Sequence, residues 1–277
     1  MITLNEAHNM NAVLETLRGV ADEVFLVDSF SQDKTVAIAQ EFGVRVVQRP
    51  FKGFGDQWNF AVNEIPITAK WTMKLDPDER ITPQLASSIR AAIDEDTYDG
   101  FTLDRQLWFM GAPMPVRQRI LRIWRTGICK FTDVLVNEHP IVEGNIGHVS
   151  GDIEHHDSPD LHHWFDKQNR YTTAEAQTIF EGRKLAATPS LFGCGLERRM
   201  WLKRVYRHIP FRHALMFLYC WLWLGAWRSG RPGFIWARLR ATVFRMREDK
   251  LYEMRLLGAS YSAGTRPRRR AEITRRS

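Results

Sequence analysis

The stretch Trp71-Thr72-Met73-Lys74-Leu75-Asp76-Pro77-Asp78-Glu79 decides how this chain is read. It reads as a short strand that runs into an acidic cluster. Met73 and Leu75 alternate with Thr72 and Lys74, the two-residue period of a strand with one buried face. Pro77 stops the strand, because proline has no N–H to give to a ladder. Asp76 and Asp78 are two apart; an extended backbone sets both on the same side, whereas a turn at Pro77 would converge them. Two hard carboxylates at a strand end suit Mg²⁺ or Mn²⁺ shared with substrate phosphates. Alone, so short a motif reads just as well as a solvated acidic turn. The segments around it must decide.

Upstream, Val24-Phe25-Leu26-Val27 is a continuous apolar run, as expected of a strand buried on both faces, and it ends at Asp28. Met1 to Leu4 is a stub of strand. Met10, Val13, Leu14 and Leu17 recur at helical spacing. Asp33 or Ser31 can cap a helix from Thr35 to Phe42, and Gly43 ends it. A strand over 44–47, a glycine-bearing loop over 50–55 and a helix over 58–65 precede the acidic stretch. A helix over 83–93 and a strand near 101–103 follow it. This alternation predicts an α/β fold with a parallel sheet. Ligands in such sheets sit outside the carboxyl ends of the strands. Asn5, Asp28, Arg49 and Asp76 all fall there, so they are expected to share one crevice.

The chain has 277 residues, 44% of them hydrophobic, enough for one large domain and an appendage. Its net charge of +7 gathers beyond residue 196, which points to an anionic surface as partner. Three cysteines, Cys129, Cys194 and Cys220, lie far apart and predict reduced thiols in a cytosolic setting. The first apolar run is broken by Asn5 and Glu6, unlike a signal peptide. No glycine-rich dinucleotide fingerprint or phosphate loop is present, which disfavours a dehydrogenase or an ordinary NTPase. His162 and His163 are adjacent, and no His-Glu-x-x-His helix occurs, so a zinc protease is disfavoured.

Ile2-Thr3-Leu4-Asn5-Glu6, then Val27-Asp28-Ser29-Phe30-Ser31-Gln32-Asp33-Lys34-Thr35, then Leu75-Asp76-Pro77-Asp78-Glu79 follow one another at a specific spacing. Over about residues 1–250 the chain resembles family 2 glycosyltransferases of the GT-A fold, in particular the bacterial non-processive group related to lipopolysaccharide core glucosyltransferases. The resemblance implies a mixed, mostly parallel sheet flanked by helices, with a donor half over 1–104 and an acceptor half over 105–195. It implies that Asp28 holds the ribose or base of a sugar nucleotide, most simply a UDP-sugar, with Thr3, Asn5 and Glu6 lining the base pocket. Gln57 and Asn59 fall where relatives contact the donor. Asp76 and Asp78 would hold Mg²⁺ or Mn²⁺ against the diphosphate, with His155 completing the metal shell. Relatives carry a His-Glu pair where this chain has Asn137-Glu138, so Glu138 is the expected general base, with Asp133 as understudy. In-line attack by an acceptor hydroxyl would invert the anomeric centre. Relatives also carry further apolar residues before the Thr-x-Asn-Glu stretch, from which a native start upstream of Met1 is expected. Lys167-Gln168-Asn169-Arg170-Tyr171 matches a family stretch, with packing as its expected role. Arg122 reads as a surface charge on a strand or as a phosphate contact.

Ala214 to Trp227 carries no charged residue and is too short for a crossing, which needs roughly 20 apolar residues. Arg198, Arg199, Lys203, Arg204, Arg207 and Arg212 precede it; Arg228, Arg231, Arg238 and Arg240 follow. The pattern predicts a helical region over 196–258 lying in the interface of an anionic membrane, with a second helix over 234–244. A basic, disordered tail is expected over 259–277. Together these features predict an inverting, metal-dependent glycosyltransferase, cytoplasmic and peripheral on the inner face of the plasma membrane. Its acceptor would be a lipid-linked or lipopolysaccharide-type glycan. The basic tail alone also fits a nucleic-acid-binding protein, but no recognition motif of the common modules is present and no nucleic-acid partner is expected. A nucleotidyltransferase with a similar metal site is a further reading.

Overall fold

The structure is a computed structural model; it describes residues 1–132, 138–182 and 209–260, with isolated positions 192, 198, 201, 205 and 206. Asp133, Asn137, Cys194, most of the arginine-rich run before residue 209 and the tail beyond 260 lie outside the described residues. Strands β1 (Ile2–Thr3), β2 (Phe25–Asp28) and β3 (Arg45–Gln48) form a wholly parallel sheet in that order. Helix α1 (Ala7–Leu17) turns Met10, Val13, Leu14 and Leu17 into the core, the stripe its sequence spacing requires. Helices α2 (Thr35–Glu41) and α3 (Phe54–Asn63) follow β2 and β3. Leu26 and Ala39 join α1 in a core that continues through Leu75, Leu85, Phe101, Ile123 and Ile153.

The parallel pattern stops there. Strand β4 (Trp71–Met73) enters a second, five-stranded sheet with β5 (Glu79–Ile81), β6 (Gly100–Phe109), β7 (Ala112–Arg125) and β10 (Ile146–His156), in the order β4-β7-β6-β10-β5. Only β6 and β10 run parallel in it; the other neighbours are antiparallel. The hairpin of β6 and β7 accounts for this. Met110 and Gly111 both have positive φ (53° and 75°), as two-residue hairpin turns demand, and such a turn can join only antiparallel strands. A small ladder of β8 (Cys129–Phe131) and β9 (Pro140–Val142) stands beside it. Helix α4 (Pro83–Glu95) starts with Pro83 behind Thr82, whose hydroxyl accepts from the Leu85 N–H. Gly151, at φ 107°, lies within the irregular register of β10, where a Cβ would meet the Leu85 backbone at 2.9 Å.

Helix α5 (Leu161–Phe180) is capped by Asp160, which accepts from the His163 N–H. The uncharged stretch expected as one helix is broken. Helix α6 (Arg212–Leu218) runs into a π-helical turn (Tyr219–Trp223), then a 3₁₀ turn (Ala226–Ser229), then the long helix α7 (Gly230–Leu257). Gly225 and Gly230 take positive φ at the two breaks. Cys220, Ala226, Trp236 and Leu239 pack with Phe109, Met114 and Trp164, so one face of this region is core. Its other face exposes Phe211, Leu222, Trp223 and Trp227, with Trp223 82% exposed. Among the described residues no helix is long and apolar enough to cross a membrane. Cys129 and Cys220 are free and buried.

Candidate active site

The acidic stretch forms a closed turn between β4 and β5. The Asp76 N–H donates to Glu79 Oε2 at 3.0 Å, and the Glu79 N–H donates to the Asp76 carbonyl at 3.0 Å. Glu79 is wholly buried. Its carboxylate accepts from Arg122 at 2.5 Å and faces Arg105 at 3.4 Å. Arg122, expected at the surface, is 4% exposed and also donates to Asp76 Oδ2 at 2.8 Å. It comes from β7, which pairs with β4, so the sheet itself delivers the cation to the acidic turn. Lys74 is likewise buried. Its ammonium lies 2.8 Å from Glu138 Oε1, 3.9 Å from Asp76 Oδ1 and 4.4 Å above the Trp58 ring.

Asp78 points into a neighbouring cluster. Its Oδ2 is 2.9 Å from Lys167 Nζ and 3.4 Å from His155 Nε2. Lys167 also contacts Asp157, at 3.0 Å to Oδ1 and 2.9 Å to the carbonyl. The His156 N–H, at the end of β10, donates to the Asp78 carbonyl at 2.7 Å and ties the two segments together. Asp78, His155 and Asp157 offer ligand atoms that all lie within 4.8 Å of one another. Two carboxylate oxygens and an imidazole nitrogen form a donor set that suits Mn²⁺ or Mg²⁺. Asp76, expected as a metal ligand, stands outside this group and is engaged by Arg122 and Lys74, whereas Asp157 stands within it.

The charges hold each other. Burial would raise the Asp76 carboxyl, but Arg122 and Lys74 outweigh it and leave it well below the usual carboxylate range. Burial opposes Asp78 ionisation too, and Lys167 and His155 overcome it. Burial would lower the Lys167 ammonium, yet Asp78 and Asp157 raise it above its ordinary value. Tyr171, one helical turn beyond Lys167, stacks on Phe54 with ring planes 9° apart. Burial pushes its phenol up to about 12, and Asp78, Asp76 and Glu138 all contribute to its field.

Thr3, Asn5 and Asp28 meet in the loop after β2. Asp28 is fully buried, and its carboxylate accepts from the Thr3 hydroxyl, the Ser31 hydroxyl and N–H, and the Gln48 amide. It ties β1 to the loop. Asn5, exposed and at φ 57°, accepts from the Gln32 N–H. Glu6 accepts from the Asn9 amide, and burial raises its carboxyl, with the Asp78 charge adding to this. Gln57 is buried, donates to Ser29, and has an unpartnered Oε1 among the described residues. Asn59 departs from expectation: its amide donates to the Phe131 carbonyl and accepts from the Phe131 N–H, so it clamps α3 to β8. Arg49 is bound to Asp56 at 2.7 Å.

Lys74, Lys167 and Tyr171 are candidate-site residues that the sequence reading did not single out for chemistry. Lys167 and Tyr171 are four apart on a helix and so share a face, which is a signal the sequence does carry. A family model described as Glycosyl transferase family 2 matches residues 1–148. A relative from Rickettsia felis, described as an uncharacterized glycosyltransferase, is 25% identical over 203 residues, which cover 67% of this chain and 71% of the relative. Another so described, from Rickettsia bellii, is 37% identical over 101 residues, or 35% of this chain and 34% of the relative. Among solved structures, the mannosyltransferase PcManGT of Pyrobaculum calidifontis, in complex with GDP-Man and Mn²⁺, is similar at a TM-score of 0.52. At 15% identity over 91% of this chain and 85% of that one, it shares the fold.

Proposed function

The chain belongs to glycosyl transferase family 2, and from that premise we propose that it transfers a sugar, with inversion, from a nucleotide-diphosphate sugar to a hydroxyl of a lipid-linked or envelope glycan. The observation that carries the reading is the placement of Glu138 across Lys74 from Asp76, beside the cluster of Asp78, His155 and Asp157. Glu138 is the base. It takes the proton of the attacking hydroxyl, a service worth about 10²–10⁴-fold in rate. Lys74, held over Trp58, aims the Glu138 carboxylate. Asp78, His155 and Asp157 would hold a divalent cation, which when bound would supply positive charge to the departing diphosphate. Arg122 fixes Asp76 near Lys74. Thr3, Asn5, Asp28 and Gln57 shape the nucleotide end, where the unpartnered Gln57 oxygen is an acceptor for a base or ribose donor.

The exposed face of Phe211, Leu222, Trp223 and Trp227, with Arg228 and Arg231 beside it, supports docking on an anionic lipid surface. That supports an acceptor at the membrane surface.

The test is a panel of nucleotide sugars scored for metal-dependent release of free nucleoside diphosphate. Release from one donor, abolished by Asp78→Asn or by a chelator, is expected. Full activity in the chelator removes the metal role, and release of pyrophosphate instead identifies a nucleotidyltransferase.

A further inference from the structure

We propose that Lys167 is the resident counter-ion of the metal-binding carboxylates: its ammonium and the divalent cation exclude one another from Asp78 and Asp157, and the donor's diphosphate draws the ammonium away. This rests on the metal site proposed above and names the group that the cation must displace.

The geometry is one of shared oxygens. Lys167 Nζ is 2.9 Å from Asp78 Oδ2 and 3.0 Å from Asp157 Oδ1. Those are the same two oxygens that His155 Nε2 faces, at 3.4 and 3.9 Å. A cation bound by the two carboxylates and the imidazole would need the place that the ammonium fills. Charge gives the same answer. Asp78 and Asp157 are balanced by Lys167, with His155 alongside. A dication added while the ammonium stayed would crowd two cations onto the same pair of carboxylate oxygens. A diphosphate brings the missing negative charge and gives the ammonium a new partner. Lysine suits such an exchange, since it is a point charge on a flexible four-carbon stem. The lysine side chain is 19% exposed and so is not sealed in the core.

Two consequences follow. The apparent affinity for metal alone is reduced by the fraction of molecules in which Lys167 occupies the oxygens. Metal and nucleotide therefore bind with positive coupling, each favouring the other. The enzyme would load both together and hold little free metal between turnovers.

The experiment is a Mn²⁺ titration of the full chain followed by electron paramagnetic resonance, with and without UDP. Without nucleotide, Lys167→Met is expected to bind Mn²⁺ about tenfold or more tightly than the native protein, because no buried ion pair has to be broken first. Lys167→Arg, which keeps the charge, should stay weak. An unchanged or weaker Mn²⁺ affinity in a folded Lys167→Met variant overturns the exchange. A second measurement needs no variant: Mn²⁺ alone, at a bound concentration, should raise the acetylation of Lys167 seen by mass spectrometry. Unaltered labelling also overturns it. If the native protein binds no Mn²⁺ even with UDP, or Asp78→Asn binds it equally well, the metal site itself is wrong and the exchange falls with it.

Discussion

Replacing Arg122 with methionine should be among the most damaging single changes to stability in this chain. The side chain is 4% exposed and neutralises two carboxylates, Asp76 at 2.8 Å and Glu79 at 2.5 Å. Methionine fills much of the volume but leaves both acids behind. Glu79 has no solvent access, and its remaining cation, Arg105, is at 3.4 Å. Removing one partner of a buried pair costs about 3–5 kcal/mol. That is a large share of the roughly 5–15 kcal/mol that holds a typical domain folded. In a protein of this size each kcal/mol moves the melting temperature about 2–4 °C, so a fall of roughly 6–20 °C is expected. Thermal and urea unfolding followed by circular dichroism at pH 7 measure it. The pH dependence has a fixed sign. The Asp76 carboxyl is depressed in the fold, so its stabilisation is complete above its unfolded value of about 3.9 and is lost as pH falls through the folded value. The gap between native protein and variant should thus be widest above about pH 4 and narrow below it. Glu79→Gln in the Arg122→Met background should recover part of the loss. A variant within about 1 kcal/mol of the native protein, or a gap that does not narrow in acid, refutes the reasoning.

Glu138→Gln should lower transfer by about 10²–10⁴-fold while UDP binding stays near native, measured by coupled nucleotide release and calorimetry; near-native transfer removes Glu138 as the base. Asn59→Ala strands a buried N–H and carbonyl of Phe131, and should cost about 1–3 kcal/mol in denaturant unfolding. A neutral result would show that the clamp is dispensable. Trp223→Ser combined with Trp227→Ser should weaken binding to anionic vesicles about tenfold, the effect of losing roughly one buried side chain's transfer energy. Unaltered vesicle binding would place the lipid contact elsewhere.

The first half of the fold was legible because its signals are local. The 24–27 run, the stripe from Met10 to Leu17 and the helix opening at Pro83 each declare themselves within a few residues. The hairpin of β6 and β7 was not, because Arg117, Gln118 and Arg119 give an exposed, polar middle to a strand whose ends alone are apolar. The break of the 214–227 stretch followed from tertiary packing on Phe109 and Trp164, which no window of sequence contains. At the site, Asp78, His155 and Glu138 could be read from their motifs. Arg122 could not, since its partners lie 43 and 46 positions away and the pairing of β4 with β7 brings them together. Lys167 stood in a motif whose helical face is decided only when α5 is docked.

The order of the second sheet has a consequence for any attempt to recombine this enzyme with its relatives. Its outermost strands, β4 and β5, come from before residue 104, and the three between them come from around or after it. A cut at that point would divide β6 itself, sever the β4–β7 and β5–β10 ladders, and strand Glu79 from the guanidinium that neutralises it. Chimeras that join a foreign C-terminal segment to this N-terminal one must therefore carry compatible strand edges as well as a compatible pocket. Specificity here should be easier to transplant through the loops than through the halves.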